Sequence, residues 1–153
     1  MMHSLLVCTD KGHVLLGRYF RATTTEEKRA FEQALYTALD WSVLQAVAPD
    51  ADAQTHLVVV LKQFVVYRKL GDLVWFLAGS LEYDELILHD VLANILAVAA
   101  GHMEKRCTEA LFLAHHSKIL VSLDDMVHQG HLDTLDVATV LQMTKLKPYP
   151  TKA

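Results

Sequence analysis

The sharpest pattern of apolar and polar positions lies in residues 61–88, LKQFVVYRKLGDLVWFLAGSLEYDELIL. Residues 64–69 are rich in β-branched and aromatic side chains, and residues 73–78 are apolar throughout. Between them Leu70-Gly71-Asp72 reads as a short turn, in which Gly71 supplies the positive φ that closing a hairpin requires. On the second strand Leu73, Trp75 and Leu77 point one way, and Val74, Phe76 and Ala78 the other. Both faces are apolar, so this strand is predicted to be central in a sheet covered on both sides. Gly79-Ser80 ends it, and Glu82, Asp84 and Glu85 suit the first turn of a helix.

Upstream, residues 4–9 form an apolar run of strand length, Asp10-Lys11-Gly12 signals a turn, and residues 13–20 read as the returning strand. Thr24 and Glu27 have capping-box spacing, in which hydroxyl and carboxylate satisfy amide donors at a helix start. Phe31, Ala34, Leu35, Ala38 and Leu39 follow as one apolar stripe, with Glu32, Gln33 and Thr37 opposite. Residues 46–54, with Pro49, read as a loop, and residues 56–61 as a third strand. Beyond the hairpin, Leu86, Ile87, Val91, Leu92, Ile95, Leu96 and Ala99, extended by Leu88 and Val98, predict a helix over 84–103 buried nearly all round. It ends near Gly101-His102 and the charged Glu104-Lys105-Arg106.

Residues 111–129 predict a further helix. Phe112, Ile119, Leu120, Leu123, Met126 and Val127 face inward, Lys118, Asp124, Asp125 and His128 outward, and Gly130 caps the end. Asp133 or Thr134 caps a last helix reaching about residue 146, with Val137, Val140 and Leu141 inward, and Pro148 and Pro150 stop it. The order β-β-α-β-β-β-α-α-α, with five strands in hairpins and helices on both faces, defines an α+β layered domain. Residues 1–147 are expected to form that single domain and residues 148–153 a short tail.

At 153 residues the chain is long enough to bury about two thirds of its unfolded surface. Its 52% hydrophobic content and mean hydropathy of +0.22 are high for a small domain, which favours a partner-facing apolar surface beyond the core. No window approaches the roughly 20 unbroken apolar residues of a membrane span. A net charge of −4 argues against nucleic acid as a partner. Cys8 and Cys107 make no disulfide framework, and the N-terminus shows no signal-peptide pattern, so a reduced cytoplasmic setting is expected.

The search for chemistry finds little. The adjacent His115 and His116 diverge by about 100° on a helix and do not converge on one ion. His128 and His131, with Asp124 or Asp125, offer an incomplete ligand set for zinc. Cys107 beside Arg106 suggests a lowered thiol pKa, although an inert thiol is the commoner case. The glycines are scattered turn residues with no phosphate-binding loop. No catalytic residue, metal or cofactor is expected. A small His-rich metal-binding protein or enzyme stays as an alternative.

Four segments carry a family resemblance. VVYRKLGDLVWFLAG resembles the paired central strands of clathrin-adaptor sigma chains and coatomer zeta. EYDELILHDVL and SKILVSLDDMVHQGHL resemble the segments that follow, and EEKRAFEQALY is similar to the first helix of coatomer zeta. LGD at 70–72, EYDEL at 82–86 and LKP at 146–148 resemble the small subunit of the TSET, or TPLATE, adaptor.

The resemblance implies a longin-like (SNARE-like) fold and a non-enzymatic small subunit held against a large adaptin-like subunit, with a medium chain and a second large chain. It implies peripheral membrane association through the complex, and the TSET branch implies clathrin-mediated endocytosis at the plasma membrane. A coatomer zeta-like or sigma-like subunit of another coat, or a longin-type tether or SNARE, are the related alternatives. The chain end shows neither the heptads nor the lipid anchor of a SNARE.

Sigma chains bind acidic dileucine signals with an arginine in the second strand beside an apolar pocket. Here that strand reads GHVLLGRYF, similar to the sigma pattern GKTRLAKWY, and places Leu15 at the arginine position. The matching pocket positions are Leu73, Cys107, Ala110 and Phe112. In a regular strand Arg18, three residues on, points to the opposite face from Leu15. A vestigial or absent cargo site, or a partner interface, is therefore expected at these residues.

Overall fold

The computed structural model describes residues 2–46, 55–80, 85–103, 108–128 and 131–132. Five antiparallel strands form one sheet: β1 (Met2–Thr9), β2 (Val14–Tyr19), β3 (His56–Val60), β4 (Gln63–Leu70) and β5 (Leu73–Gly79), in the order β2-β1-β5-β4-β3. β5 is the middle strand, and each of its residues is buried. A two-residue turn joins β4 to β5, with Gly71 at φ 66°.

The alternation along β5 divides the core in two. Val74, Phe76 and Ala78 join Leu6, Cys8, Val60 and Val65 under α1 (Thr25–Ala38) and α2 (Trp41–Ala46), which contribute Phe31, Leu35 and Leu44. Leu73, Trp75 and Leu77 join Leu5, Val7 and Val66 under α3 (Glu85–His102), α4 (Glu109–Ala114) and α5 (His116–Met126). There the Trp75 and Phe112 rings meet edge to face, with centroids 5.8 Å apart. Each such side chain contributes roughly 1.5–3 kcal/mol by leaving water. Both apolar faces of β5 are thus covered, as its pattern predicts.

α1 starts as expected. The Thr24 hydroxyl accepts from the Glu27 amide at 3.2 Å, and the Thr24 amide donates to the Glu27 carboxylate at 3.2 Å. These bonds, the backbone one first, hold the Glu27 carboxyl below its ordinary pKa. On the face read as polar, Glu32 is only half exposed and accepts the Tyr19 hydroxyl at 2.7 Å, tying α1 to β2.

Several expectations are corrected. α2 adds a short helix before residue 47, capped at its start by Asp40, whose carboxylate accepts from the Ser42 amide. α3 is buried along one side through Leu88, Val91, Leu92, Ile95, Leu96, Val98 and Ala99, while Leu86 is 72% and Ile87 41% exposed, so it is not buried nearly all round. Among the described residues the sheet and α5 pack on that side. α3 is also the one helix among the described residues long and apolar enough to cross a membrane, yet its buried side packs on the sheet.

The helix expected over 111–129 is split at His115 into α4 and α5, because Thr108 caps a first short helix and His115 closes it. α5 stops at Met126, and Val127–His128 (β6) and His131–Leu132 (β7) form a two-stranded ladder where one helix was predicted to continue. The loop over 47–54, Glu82, Asp84, residues 104–107 with Arg106 and Cys107, Gly130, and the helix and tail from Asp133 onward lie outside the described residues.

Candidate functional site

Three of the five sequence-assigned residues meet in one place. Leu73 and Phe112 are fully buried in the core beneath α3 and α5, and the half-buried Leu15 packs against that core. Ala110 is exposed on α4, and Cys107 lies outside the described residues. Leu73 and Phe112 are thus core, and Leu15 borders it.

The placement of Arg18 corrects the sequence reading. β1 and β2 slip register between Val7 and Cys8: Val7 faces Leu16, whereas Cys8 faces Val14. Leu15 is the extra residue of a β-bulge, which breaks the alternation. Leu15 and Leu16 therefore both pack on the α3–α5 core, and Arg18, opposite Leu5, lies on the same side. Its guanidinium forms a salt bridge with the Asp124 carboxylate of α5. Both side chains are about half exposed, so the pair contributes about 0–1 kcal/mol. A cation does stand on Leu15's face of the sheet, and α5 occupies it.

The histidines are dispersed. His116 stacks edge-on with Phe112 at 5.7 Å, and His102 Nε2 lies 2.6 Å from Ser122 Oγ. Because the Ser122 hydroxyl donates to the Lys118 carbonyl, His102 is the donor toward Ser122. No three histidine, cysteine, aspartate or glutamate side chains converge among the described residues. Burial, with Glu32 nearby, pushes the Cys8 thiol up to about 12, which removes its thiolate at neutral pH.

A cleft of about 270 Å³ opens where the start of β1, the end of β2, the first turns of α1 and the β3–β4 turn meet. His3, Tyr19, Arg21, Glu27, Phe31 and Gln63 are among its walls. His3 sits at a second register slip, between Met2 and Ser4, and its Nε2 is 2.8 Å from Ser80 Oγ. Desolvation lowers its pKa, with Gln63 opposing that shift. The buried Nδ1 of His3 and Oε1 of Gln63 complete no hydrogen bond of ordinary geometry. Mixed charge and a neutral imidazole give this cleft no defined chemistry.

Sequence reasoning missed a surface feature. Leu57 and Val59 of β3 are 48% and 60% exposed, and Leu61 in the following turn is 58% exposed. The run HLVVV signals a strand, but apolarity alone does not tell an edge from a centre. The one usable signal was the aggregate apolar excess.

With this geometry in view, the likenesses to known proteins fall into one group. The TSET complex member tstD of Dictyostelium discoideum is 29% identical over 151 residues, spanning 96% of this chain and 94% of that protein. Coatomer subunit zeta-3 of Oryza sativa subsp. japonica is 23% identical over 141 residues, covering 91% and 76%. Among structures, a chain of a full-length AP-3 complex model in a stretched open conformation superposes with a TM-score of 0.66. It covers 95% of this chain and 92% of that one at 11% identity, which establishes the longin-like fold alone. The family model for the clathrin adaptor complex small chain matches residues 1–148, so the chain belongs to the clathrin adaptor complex small chain family.

Proposed function

We propose that this protein is the small subunit of a TSET-type adaptor complex, a non-enzymatic part of a vesicle coat. In this reading it packs against a large adaptin-like subunit, with a medium chain and a second large chain completing the assembly. It is cytoplasmic, reaches the plasma membrane only through the complex, and serves clathrin-mediated endocytosis. The observation that carries the branch is the end-to-end match to the TSET member, which spans 94% of that protein against 76% of coatomer zeta-3. The raised pKa of the Cys8 thiol leaves it without a thiolate at neutral pH, as a binding role allows. The exposed apolar residues Leu57 and Val59 of β3 support a large partner.

Purifying the tagged protein from its own cells and identifying what comes with it tests this. The expected result is a near-stoichiometric adaptin-like large chain together with the other TSET-type subunits. Recovery with coatomer chains instead would overturn the branch, and recovery with no adaptin-like chain would overturn the reading.

The same reading gives the subunit no sigma-type cargo role. Leu15 supplies no charge, Leu73 and Phe112 are spent in the core, and Asp124 holds Arg18. Losing the cation removes a charge-assisted contact worth about 1.5–3 kcal/mol. An acidic dileucine peptide titrated into the purified complex should give no saturable heat. Micromolar binding abolished by Leu73→Ser would contradict this.

A further inference from the structure

We infer that α2 and the β1–β2 turn, residues 10–13, form one clasp locked by the buried Lys69, and that this clasp opens as a unit while the sheet stays folded. The clasp belongs to the fold of this chain, whatever assembly it joins. Lys69, on β4, is only 5% exposed. An ammonium taken out of water needs compensating partners, so lysine is almost never fully buried unless paired. Lys69 Nζ donates to the Leu44 carbonyl of α2 at 2.8 Å and stands 3.7 Å from Asp10 Oδ2 in the turn. The Leu44 carbonyl is one of the last four of α2, which a helix cannot bond within itself. One ammonium therefore holds both segments to the sheet.

A second contact joins the same two segments. Gly12 turns at φ 90°, and a Cβ there would stand 2.4 Å from Cε2 of Tyr36, so the turn backbone lies directly against that ring. The Tyr36 ring stacks on Trp41, the first residue of α2, with centroids 5.3 Å apart. The Trp41 indole N–H donates to the Tyr36 carbonyl at 2.9 Å, and its ring meets Phe76 of β5 edge-on at 6.0 Å. The layers run turn, Tyr36, Trp41, Phe76.

These contacts couple the two segments. If α2 lifts, Lys69 loses the Leu44 carbonyl, water reaches the ammonium, and its attraction to Asp10 falls several-fold. Trp41 leaves with α2 and takes away the support of Tyr36, against which Gly12 rests. If the turn lifts first, the same losses run in reverse. Of the six residues of α2 only Leu44 is buried, and a helix that short does not persist in water by itself. Its docking therefore belongs to the low end of local stability, far below that of β5, each of whose residues is buried. Opening uncovers Phe76 and the seat of Leu44 in the core under α1.

Amide hydrogen exchange, followed residue by residue on the full-length protein, tests the clasp with Leu44 and Gly12 as reporters. Each amide is bonded within its own segment, Leu44 to the Asp40 carbonyl and Gly12 to the Thr9 carbonyl. In wild type the two should show matching protection, and residues 73–79 far more. Lys69→Met removes the ammonium while keeping an apolar stem. It should speed both reporters by about tenfold or more, by similar factors, and leave residues 73–79 unchanged. Tyr36→Ala should speed the same pair through the stack. Asp10→Asn, at the end of the lock whose side chain is 27% exposed, should give a smaller but still joint change.

Acceleration of Leu44 alone, with Gly12 unchanged, would show that α2 and the turn open separately and would overturn the clasp. Equal acceleration of residues 73–79, with a lowered melting temperature, would make Lys69 a support of the whole fold and overturn it as well. Unchanged or slower exchange in Lys69→Met would mean that the ammonium is not the lock. Should Lys69→Met fail to fold, Asp10→Asn and Tyr36→Ala, which alter less buried side chains, carry the same comparison.

Discussion

β2 and β3 close the same sheet at opposite edges, and they meet water on different plans. β2 carries a bulge at Leu15, the exposed Gly17 and Arg18, and a tyrosine whose hydroxyl reaches Glu32 of α1. β3 is a smooth run, HLVVV, whose Leu57 and Val59 stand in solvent. The first edge is finished within the subunit by its bulge, its cation and its tether to α1. The second is left apolar, which in a protein of this family suits a surface covered in the assembly. Edge chemistry therefore distinguishes an end of the sheet that is finished within the subunit from one that is left apolar.

Both edges hang from β5, so the largest effect comes from the middle. Trp75→Ala or Phe76→Ala empties one of the two cores and should cost about 3–5 kcal/mol, enough to unfold a domain of ordinary stability. Denaturant melts of the two variants read this directly. An unchanged midpoint for either would mean that β5 does not organise the sheet, and the comparison of its edges would lose its basis.

A smaller effect sharpens the β2 side. Tyr19→Phe removes a 2.7 Å bond to a carboxylate and should cost about 1.5 kcal/mol. Burial, then the bond to Glu32, raises the Tyr19 pKa, so its phenol remains protonated and keeps donating through alkaline titration. Arg18→Ala should fall within about 0–1 kcal/mol, since its salt bridge is exposed. A loss well beyond 2 kcal/mol, roughly, would mean that Arg18 rather than Tyr19 fastens this edge.

The pH response probes where β1 meets the β3–β4 turn. His3 has a folded pKa below its ordinary 6.5, chiefly because burial penalises the imidazolium. Its contribution to stability is present above that value and is lost as pH falls through 6.5 toward the depressed pKa. Melting temperatures between about pH 7.5 and 5.5 should fall more steeply for wild type than for His3→Gln. Parallel slopes would show that His3 is already solvated. Smallest of all, Leu57→Ser/Val59→Ser should change the stability of the isolated chain by only about 0.5 kcal/mol, because neither residue is buried.

What could be read from sequence was what depends on neighbours in sequence. The central position of β5 follows from six consecutive apolar residues, and the α1 start from the Thr24–Glu27 spacing. The Gly71 turn follows from the residue type that takes its positive φ without steric cost. What stayed hidden depends on pairing. The bulge that puts Arg18 on Leu15's side belongs to the β1–β2 register, and no alternation rule within β2 reveals it. The exposure of Leu57 and Val59 depends on strand order, which places β3 at an edge. At the candidate site, residue types were legible, but their burial was not. Leu73 and Phe112 looked like pocket walls and are core.

Hydrogen–deuterium exchange on the free subunit and on the purified complex compares the two edges in a single experiment. Amides of residues 56–62 should slow markedly on assembly, while those of residues 14–19 should exchange alike in both states. Protection at residues 14–19 with no change at 56–62 would contradict the account, because the partner would then cover the edge that the subunit finishes by itself.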